Sequence, residues 1–333
     1  MEKEKVVSSL KIAAGKAAEV AMAAGTKTGE LAKVAGAKAT EVTKKSKDAV
    51  INAIDQNGNG SIDIEDIIIL GLKTPGVKIN RADFLRKEFA KNHTLEEIEN
   101  IVNTTPARAN ISREEVDKIA NEVIKYERIC VSGISTALGI PGGAAMAATI
   151  PADIAQYYGY MLRAAQKLMY LYGFPEINLE EKGQVFDSET LNVLTICLGV
   201  MYGAAGANNA VKAMARGLAT GVEKQLMKKA LTKGTFYPLV KNISKWFGQK
   251  MTKEVFAGFF KKSIPVVGGI VGGGLTFATF KPCCEKLKAT LQDTLLSNPN
   301  HVETEEEKEI IIEAEVKDIV EAADEAEQVP CYL

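Results

Sequence analysis

Three long segments without a charged residue constrain the fold most strongly. They cover residues 129–152, 190–211 and 263–280, and each is rich in Gly, Ala, Ser and Thr. Small side chains at this density favour helices that pack closely, either in a protein core or in lipid. The segments are long enough to span a membrane, but prolines interrupt two of them and their hydrophobicity is marginal. We therefore predict an all-α fold and leave insertion into lipid open.

Composition excludes several classes of site. The chain has 333 residues, enough for two domains, and histidine occurs only at His93 and His301. An imidazole-based catalytic triad or a histidine-rich zinc site is therefore not expected. The five cysteines show no CxxC spacing, which argues against a disulfide framework. No uninterrupted apolar core of a secretory signal stands near the N-terminus, so we expect a cytoplasmic protein.

The net charge of the chain is only −1, but it contains two segments of strong and opposite charge. Residues 212–262, the basic block, hold twelve Lys or Arg against two Glu, whereas residues 303–328 hold twelve acids against two Lys. The basic block could face anionic lipid or the acidic tail. A solvated helix face with a soluble tail explains the pattern equally well. Aromatic residues that could stack on bases are sparse, so nucleic acid is the less favoured partner.

An eleven-residue repeat occupies the start of the chain. Residues 10–42 divide into three units, each ending in Glu followed by Val or Leu. Eleven residues make close to three helical turns, so equivalent positions form one stripe along a helix. Lysines beside an alanine-rich face and glutamates opposite are typical of a helix lying on an anionic membrane. The pattern resembles the repeats of synucleins and apolipoproteins, and a solvent-exposed or disordered arm is the alternative.

The twelve residues from Asp55 to Asp66 read DQNGNGSIDIED and resemble the calcium loop of the EF-hand family. A hard cation takes six to eight oxygen ligands, which a loop of this length can supply. The last position departs from the family because Asp66, with its shorter arm, replaces glutamate. Calcium is the expected ion and magnesium the alternative, and an Asn-Gly turn without an ion is the other interpretation. The resemblance implies these ligands: Asp55, Asn57, Asn59, the carbonyl of Ser61, Asp63 and Asp66.

The same resemblance makes predictions about the surroundings of the loop. Gly60 would take the sharp turn and Ile62 would form a short strand against a neighbouring loop. Residues 72–83 are the candidate partner loop, but they lack the carboxylates to bind an ion. Helix starts explain this segment more simply, because Asn80 with Asp83 has capping-box spacing, as do Ser112 and Glu115. We assign residues 51–118 to one helical module with one ion site.

A second resemblance covers about residues 119–290. Its residues are Ile150-Pro151-Ala152-Asp153 with Gln156, then Leu171-Tyr172-Gly173, and Ile264-Pro265-Val266-Val267-Gly268-Gly269. In these stretches the chain resembles the EcsC protein family. The resemblance implies a bacterial, mostly helical protein, some members of which are encoded beside an ABC transporter linked to secretion. It brings no established catalytic residues, and an ABC transporter becomes a candidate partner.

Asp153 is a lone carboxylate between two apolar stretches. A buried acid in such a setting is a candidate functional group. The pattern favours a structural interpretation, in which Asp153 caps a helix that begins after Pro151.

These patterns divide the chain into an amphipathic helix (1–50), an EF-hand-like module (51–118), an EcsC-like helical domain (119–297) and an acidic tail (298–333). We expect a non-enzymatic, membrane-peripheral protein with a calcium site. One alternative is a hydrolase-like enzyme that uses Asp153 or another carboxylate, although no nucleophile and base stand at a recognisable spacing. The other is a soluble scaffold whose acidic tail covers its basic helices.

Overall fold

The part of the chain that the structure describes is mostly helical. The computed structural model describes residues 51–139, 146–179, 186–220, 231, 237–247, 267–298, 300–302, 305 and 308. Of these residues, 71% are helical and none is in a β-strand, which confirms the all-α fold. The amphipathic repeat, much of the basic block and nearly all of the acidic tail lie outside the described residues.

Three short helices precede longer ones in chain order. Residues 51–54 and 237–247 are also helical. The bounded helices are α1 (Ile64–Leu72), α2 (Arg81–Phe89), α3 (Leu95–Asn103), α4 (Arg113–Gly139), α5 (Met146–Leu171), α6 (Ser188–Tyr202), α7 (Ala207–Thr220) and α8 (Val267–Gln292).

Side-chain caps determine where the early helices begin. The Asn80 side chain accepts a hydrogen bond from the Asp83 amide at 2.9 Å, at the start of α2. The Ser112 hydroxyl accepts one from the Glu115 amide at 3.2 Å, at the start of α4. Each bond satisfies an amide that has no partner within the helix. The predicted helix starts at Asn80 and Ser112 are therefore confirmed.

The predicted short strand at Ile62 is wrong. No described residue is in a strand, and Ile62 is instead a buried side chain, 8% exposed, just before α1. The amide of Ile79, the strand position of the candidate partner loop, donates to the Gln166 side chain at 3.1 Å. Because a helix side chain satisfies that amide, it is not available for pairing with another loop.

The described residues form two compact units. The first unit takes those up to Val77, those in Ile124–Arg163 and those in Phe247–Pro282. The second takes those in Lys78–Val123, in Ala164–Trp246 and from Cys283 onward.

In the first unit, α1 buries its apolar face and contacts α5 at Gly71. Ile64, Ile67, Ile68 and Leu72 are all buried, at the spacing expected for one side of a helix. Gly71 lies on the same side, where α1 meets α5. This contact fixes α1 close to the backbone of the longer helix.

In the second unit, α2 pairs with α3 and α6 pairs with α7. Small residues allow the second pair to approach closely: a Cβ atom at Gly199 would lie 3.1 Å from the Cβ of Ala207 and 3.0 Å from a methyl group of Ile243. Tyr170 and Tyr172 are buried in this unit and both hydroxyls are hydrogen-bonded. These two tyrosines therefore belong to a packed core.

The described parts of the uncharged segments are helical except at residues 203–206. Residues 190–211 form parts of α6 and α7, which are separated by a turn at Gly203, with φ of 79°. Among the described residues, every helix falls short of the length and apolar character needed to cross a bilayer.

Candidate metal centre

The loop from Asp55 to Asp66 follows the helical residues 51–54 and ends in the first turn of α1. Two Asn-Gly steps shape it, and their glycines have positive φ angles of 73° at Gly58 and 79° at Gly60. Only glycine adopts this conformation readily, because it lacks a Cβ atom. The predicted sharp turn at Gly60 is therefore present.

The carboxylate of Asp55 lies inside this turn. It accepts hydrogen bonds from the amides of Gly58 at 2.6 Å, Asn59 at 3.2 Å and Gly60 at 2.7 Å. These bonds hold the first side chain of the loop over the backbone of the next turn. An acceptor-rich carboxylate is thereby fixed at the position where a cation would find its first ligand.

The middle of the loop brings two amides to a second carboxylate. The side-chain nitrogens of Asn57 and Asn59 each lie 3.2 Å from the same oxygen of Asp63. A half turn of either amide about its last side-chain bond would present its oxygen in place of the nitrogen. Ser61 bonds to Asn59 through both its amide and its hydroxyl, at 2.8 and 2.6 Å.

Asp66 ties the two ends of the loop together. Its carboxylate accepts from the amides of Gln56 at 2.7 Å and Asn57 at 3.2 Å, and from that of Asp63 at 2.9 Å. In return the Asp63 side chain accepts from the Asp66 amide at 3.1 Å, which completes a capping box at the start of α1. The same hydrogen bonds between Asp63 and Asp66 therefore cap the start of α1 and close the end of the loop.

Burial leaves negative charge poorly solvated at the end of the loop. Asp66 is 0% exposed, and desolvation is the main cause that raises its pKa above the ordinary value. The pKa of Glu65 is also raised, first by burial and then by the charges of Asp63 and Asp66. A bound cation would offset both effects, since it supplies the opposite charge.

The donor set fits a hard cation. Hydrogen bonds join four of the predicted ligands, Asn57 and Asn59 to Asp63 and Asp63 to Asp66, whereas the Asp55 carboxylate bonds to backbone amides of the turn. Carboxylate and amide oxygens of these residues are of the kind that calcium and magnesium prefer. Within the described residues, no three His, Cys, Asp or Glu side chains form a metal-binding group. Amide and carbonyl oxygens would therefore have to complete the shell.

A lysine lies beside the loop. The ammonium of Lys73, at the end of α1, donates to the side-chain oxygen of Gln56 at 2.8 Å. This positive charge lies next to the second residue of the loop. It opposes cation binding by ordinary Coulomb repulsion, reduced by solvent because the contact is exposed.

Asp153 does not join this site and does not cap a helix. The helix α5 begins at Met146 and passes through Pro151, so Asp153 lies within it and is partly buried. The predicted helix cap is therefore wrong. A proline removes one intrahelical hydrogen bond and disfavours helical conformation in the residue before it, but it does not always end a helix.

A buried ion pair not found from the sequence lies near the end of α1. Arg163 on α5 contacts both oxygens of Glu127 on α4, at 3.1 and 3.3 Å, and the Glu127 side chain is fully buried. A third nitrogen of Arg163 donates to the carbonyl of Gly76. Burial alone would lower the pKa of Arg163, but the charge and hydrogen bonds of Glu127 raise it above the ordinary value.

Nothing local in the sequence marks this pair, because its members lie 36 residues apart.

Comparison with protein families, with curated proteins and with solved structures finds no match to this chain. The resemblances to the EcsC and EF-hand families therefore stay predictions.

Proposed function

We propose that this chain is a non-enzymatic protein that binds calcium in the loop from Asp55 to Asp66 and acts at the surface of an anionic membrane. The observation that carries the proposal is the arrangement of that loop: the side-chain amides of Asn57 and Asn59 meet the Asp63 carboxylate, and the Asp55 carboxylate is held by the backbone of a turn with Gly60 in the left-handed conformation. Calcium is the expected ion and magnesium the competitor.

The structure of the loop favours moderate affinity. The side chain of Asp66 is one methylene shorter than the glutamate that usually stands at the last position of such loops. Its carboxylate already accepts hydrogen bonds from three backbone amides. Two-oxygen coordination from this position would need some rearrangement. We expect a dissociation constant of about 10⁻⁵ to 10⁻³ M, at the weaker end of such loops.

The membrane part of the proposal rests on charge. Lys241 and Lys245 are exposed on the helical residues 237–247, whereas Val240 and Ile243 on the other side are buried. Such a face attracts anionic headgroups within a Debye length. A cytoplasmic location at the membrane, and an ABC transporter as partner, follow only from the sequence patterns and the EcsC resemblance.

Calorimetric titration of the full chain with calcium and with magnesium tests the ion site. We expect wild-type protein to bind calcium and the Asp55→Asn variant to lose binding, because its first ligand loses its charge. Asp83→Asn is the matched control, since Asp83 is an exposed acid in the first turn of α2. Absence of calcium binding to wild-type protein at millimolar concentration would refute the proposed site.

Flotation with vesicles tests the membrane part. Vesicles of phosphatidylcholine alone and with phosphatidylserine are compared, each with calcium and with a chelator. We expect flotation only with the anionic lipid and a change in the bound fraction on adding calcium. Equal recovery at the bottom of the gradient in all four conditions would contradict membrane association.

A further inference from the structure

The turn that follows α1 is held by a hydrogen bond from Arg163 to the carbonyl of Gly76. Asp63 caps the start of α1 and Asp66 lies in its first turn, and the nine residues of the helix make a rod of about 13 Å. A rigid helix carries a displacement at one end to the other. Whatever fixes the end of α1 therefore also restrains the loop.

Three contacts attach this end to α5. Gly71 lies against α5, where a Cβ atom would come within 3.2 Å of the amide nitrogen of Gly159. The Thr74 hydroxyl lies 3.3 Å from the carbonyl of Ala155. The carbonyl of Gly76 accepts from Arg163. The end of α1 and the turn after it thus contact three successive turns of α5.

Glu127 orients the guanidinium of Arg163 that bonds to Gly76. The two parallel hydrogen bonds to Glu127 use two of the nitrogens and leave the third directed at the Gly76 carbonyl. Paired bonds of this type set orientation as well as distance. Gly76 has φ of 76°, and a Cβ atom there would lie 3.2 Å from that nitrogen, so the turn is shaped to admit it.

We propose that the Glu127–Arg163 pair is a positioning element for the calcium loop, so that cation affinity at Asp55 to Asp66 depends on the bond from Arg163 to Gly76. This inference rests on the proposed calcium site. The pair fixes the end of α1, α1 fixes Asp63 and Asp66, and these residues close the loop around the ion. Coupling between sites is reciprocal, so bound calcium also strengthens the hold of Arg163 on the turn.

Calcium titration of the full-length wild-type chain and its variants tests the coupling. In Arg163→Lys a single ammonium replaces the three-way contact, and in Glu127→Gln the shape is kept but the charge is lost. Either change should weaken calcium affinity at least about fivefold, the lower end of typical coupling. Glu127→Gln leaves the charge of Arg163 without its partner and therefore also destabilises the fold, so thermal unfolding without calcium identifies any variant that does not fold.

Arg81→Lys is the matched control. Arg81 in the second unit also anchors backbone carbonyls, those of Phe174, Val102 and Thr104, at 3.2, 2.7 and 2.9 Å. Its replacement should lower the unfolding temperature but leave calcium affinity within about twofold of wild type, because the carbonyls that it holds lie in the second unit.

The outcomes separate the two proposals. Calcium binding by wild-type protein with unchanged affinity in both Arg163→Lys and Glu127→Gln would overturn the coupling and leave the calcium site standing. Equal weakening in Arg81→Lys would also overturn it, since the effect would then be general destabilisation. Failure of wild-type protein to bind calcium would refute the site itself and the coupling with it.

Discussion

Gly71 and Gly159 bring two helix backbones into direct contact. A Cβ atom at Gly71 would lie 3.2 Å from the Gly159 nitrogen and 2.9 Å from a methyl group of Leu162, and one at Gly159 would lie 3.3 Å from the Gly71 carbonyl oxygen. Such distances are shorter than ordinary contacts of a methyl group. α1 and α5 can therefore keep this spacing only if both positions lack a side chain.

The first prediction concerns this contact. Gly71→Ala should destabilise the protein by about 1–3 kcal/mol, because the added methyl group must displace backbone atoms in a packed region. Thermal or urea unfolding measures the change.

The sign of the effect is diagnostic. In an unconstrained helix, Gly→Ala stabilises by roughly 0.5–1 kcal/mol. A Gly71→Ala variant as stable as wild type, or more stable, would therefore show that the close approach does not exist. Gly159→Ala tests the same contact from the other helix and should also destabilise.

Local features of the fold were predictable from the sequence. The helix starts at Asn80 and Ser112 depend on residues three positions apart, so the signal lies in one stretch of chain. The shape of the loop at Asp55 likewise follows from consecutive Asn-Gly steps. In both cases the side chain and the amide it serves are close in sequence.

The contacts between distant segments could not be predicted in this way. Glu127 and Arg163 read as ordinary charged residues on two helices, and only packing brings them together and buries the carboxylate. At Asp153 a local sequence rule gave a wrong prediction. Pro151 suggested that a helix starts there, but α5 continues through the proline. Whether a charged pair is buried, or a helix continues through a proline, depends on packing against neighbouring helices. Local sequence patterns do not give the positions of those helices.

The second prediction concerns the last position of the loop. Asp66→Glu should tighten calcium binding about tenfold, because the longer arm reaches two-oxygen coordination more easily. Magnesium affinity should change less, since magnesium favours octahedral geometry with single oxygens. Calorimetric titration with each ion measures the selectivity. Weaker calcium binding in Asp66→Glu than in wild type would indicate that the buried carboxylate does not act as a ligand.

The third prediction concerns acid stability at Glu115. Its carboxylate accepts from the Asn92 side chain and contacts the His93 ring, each at 3.0 Å. The hydrogen bond from Asn92 is the main cause that lowers its pKa below the ordinary 4.5, and His93 adds to it. The stability this group adds is complete above pH 4.5 and is lost as the pH falls through the lower folded value.

Unfolding temperatures of wild-type protein and Glu115→Gln between pH 3 and pH 7 measure this contribution. Wild type should be more stable near neutral pH, and the difference should shrink toward pH 3. Glu96→Gln, which changes an exposed acid in the first turn of α3, is the control and should give parallel curves. A constant difference between wild type and Glu115→Gln across the range would contradict the role of this carboxylate.

The last prediction tests the basic face. Lys241 and Lys245 lie one helical turn apart and both are exposed. Each lysine near an anionic surface contributes about 1 kcal/mol, so replacing both with Gln should weaken binding to phosphatidylserine vesicles by roughly thirtyfold. The same change at Lys87 and Lys91, which are also exposed but lie outside the basic block, should have a smaller effect. Because the attraction is electrostatic, about 0.5 M salt should remove most wild-type binding. Binding that survives both the double replacement and high salt would show that another part of the chain attaches to the membrane.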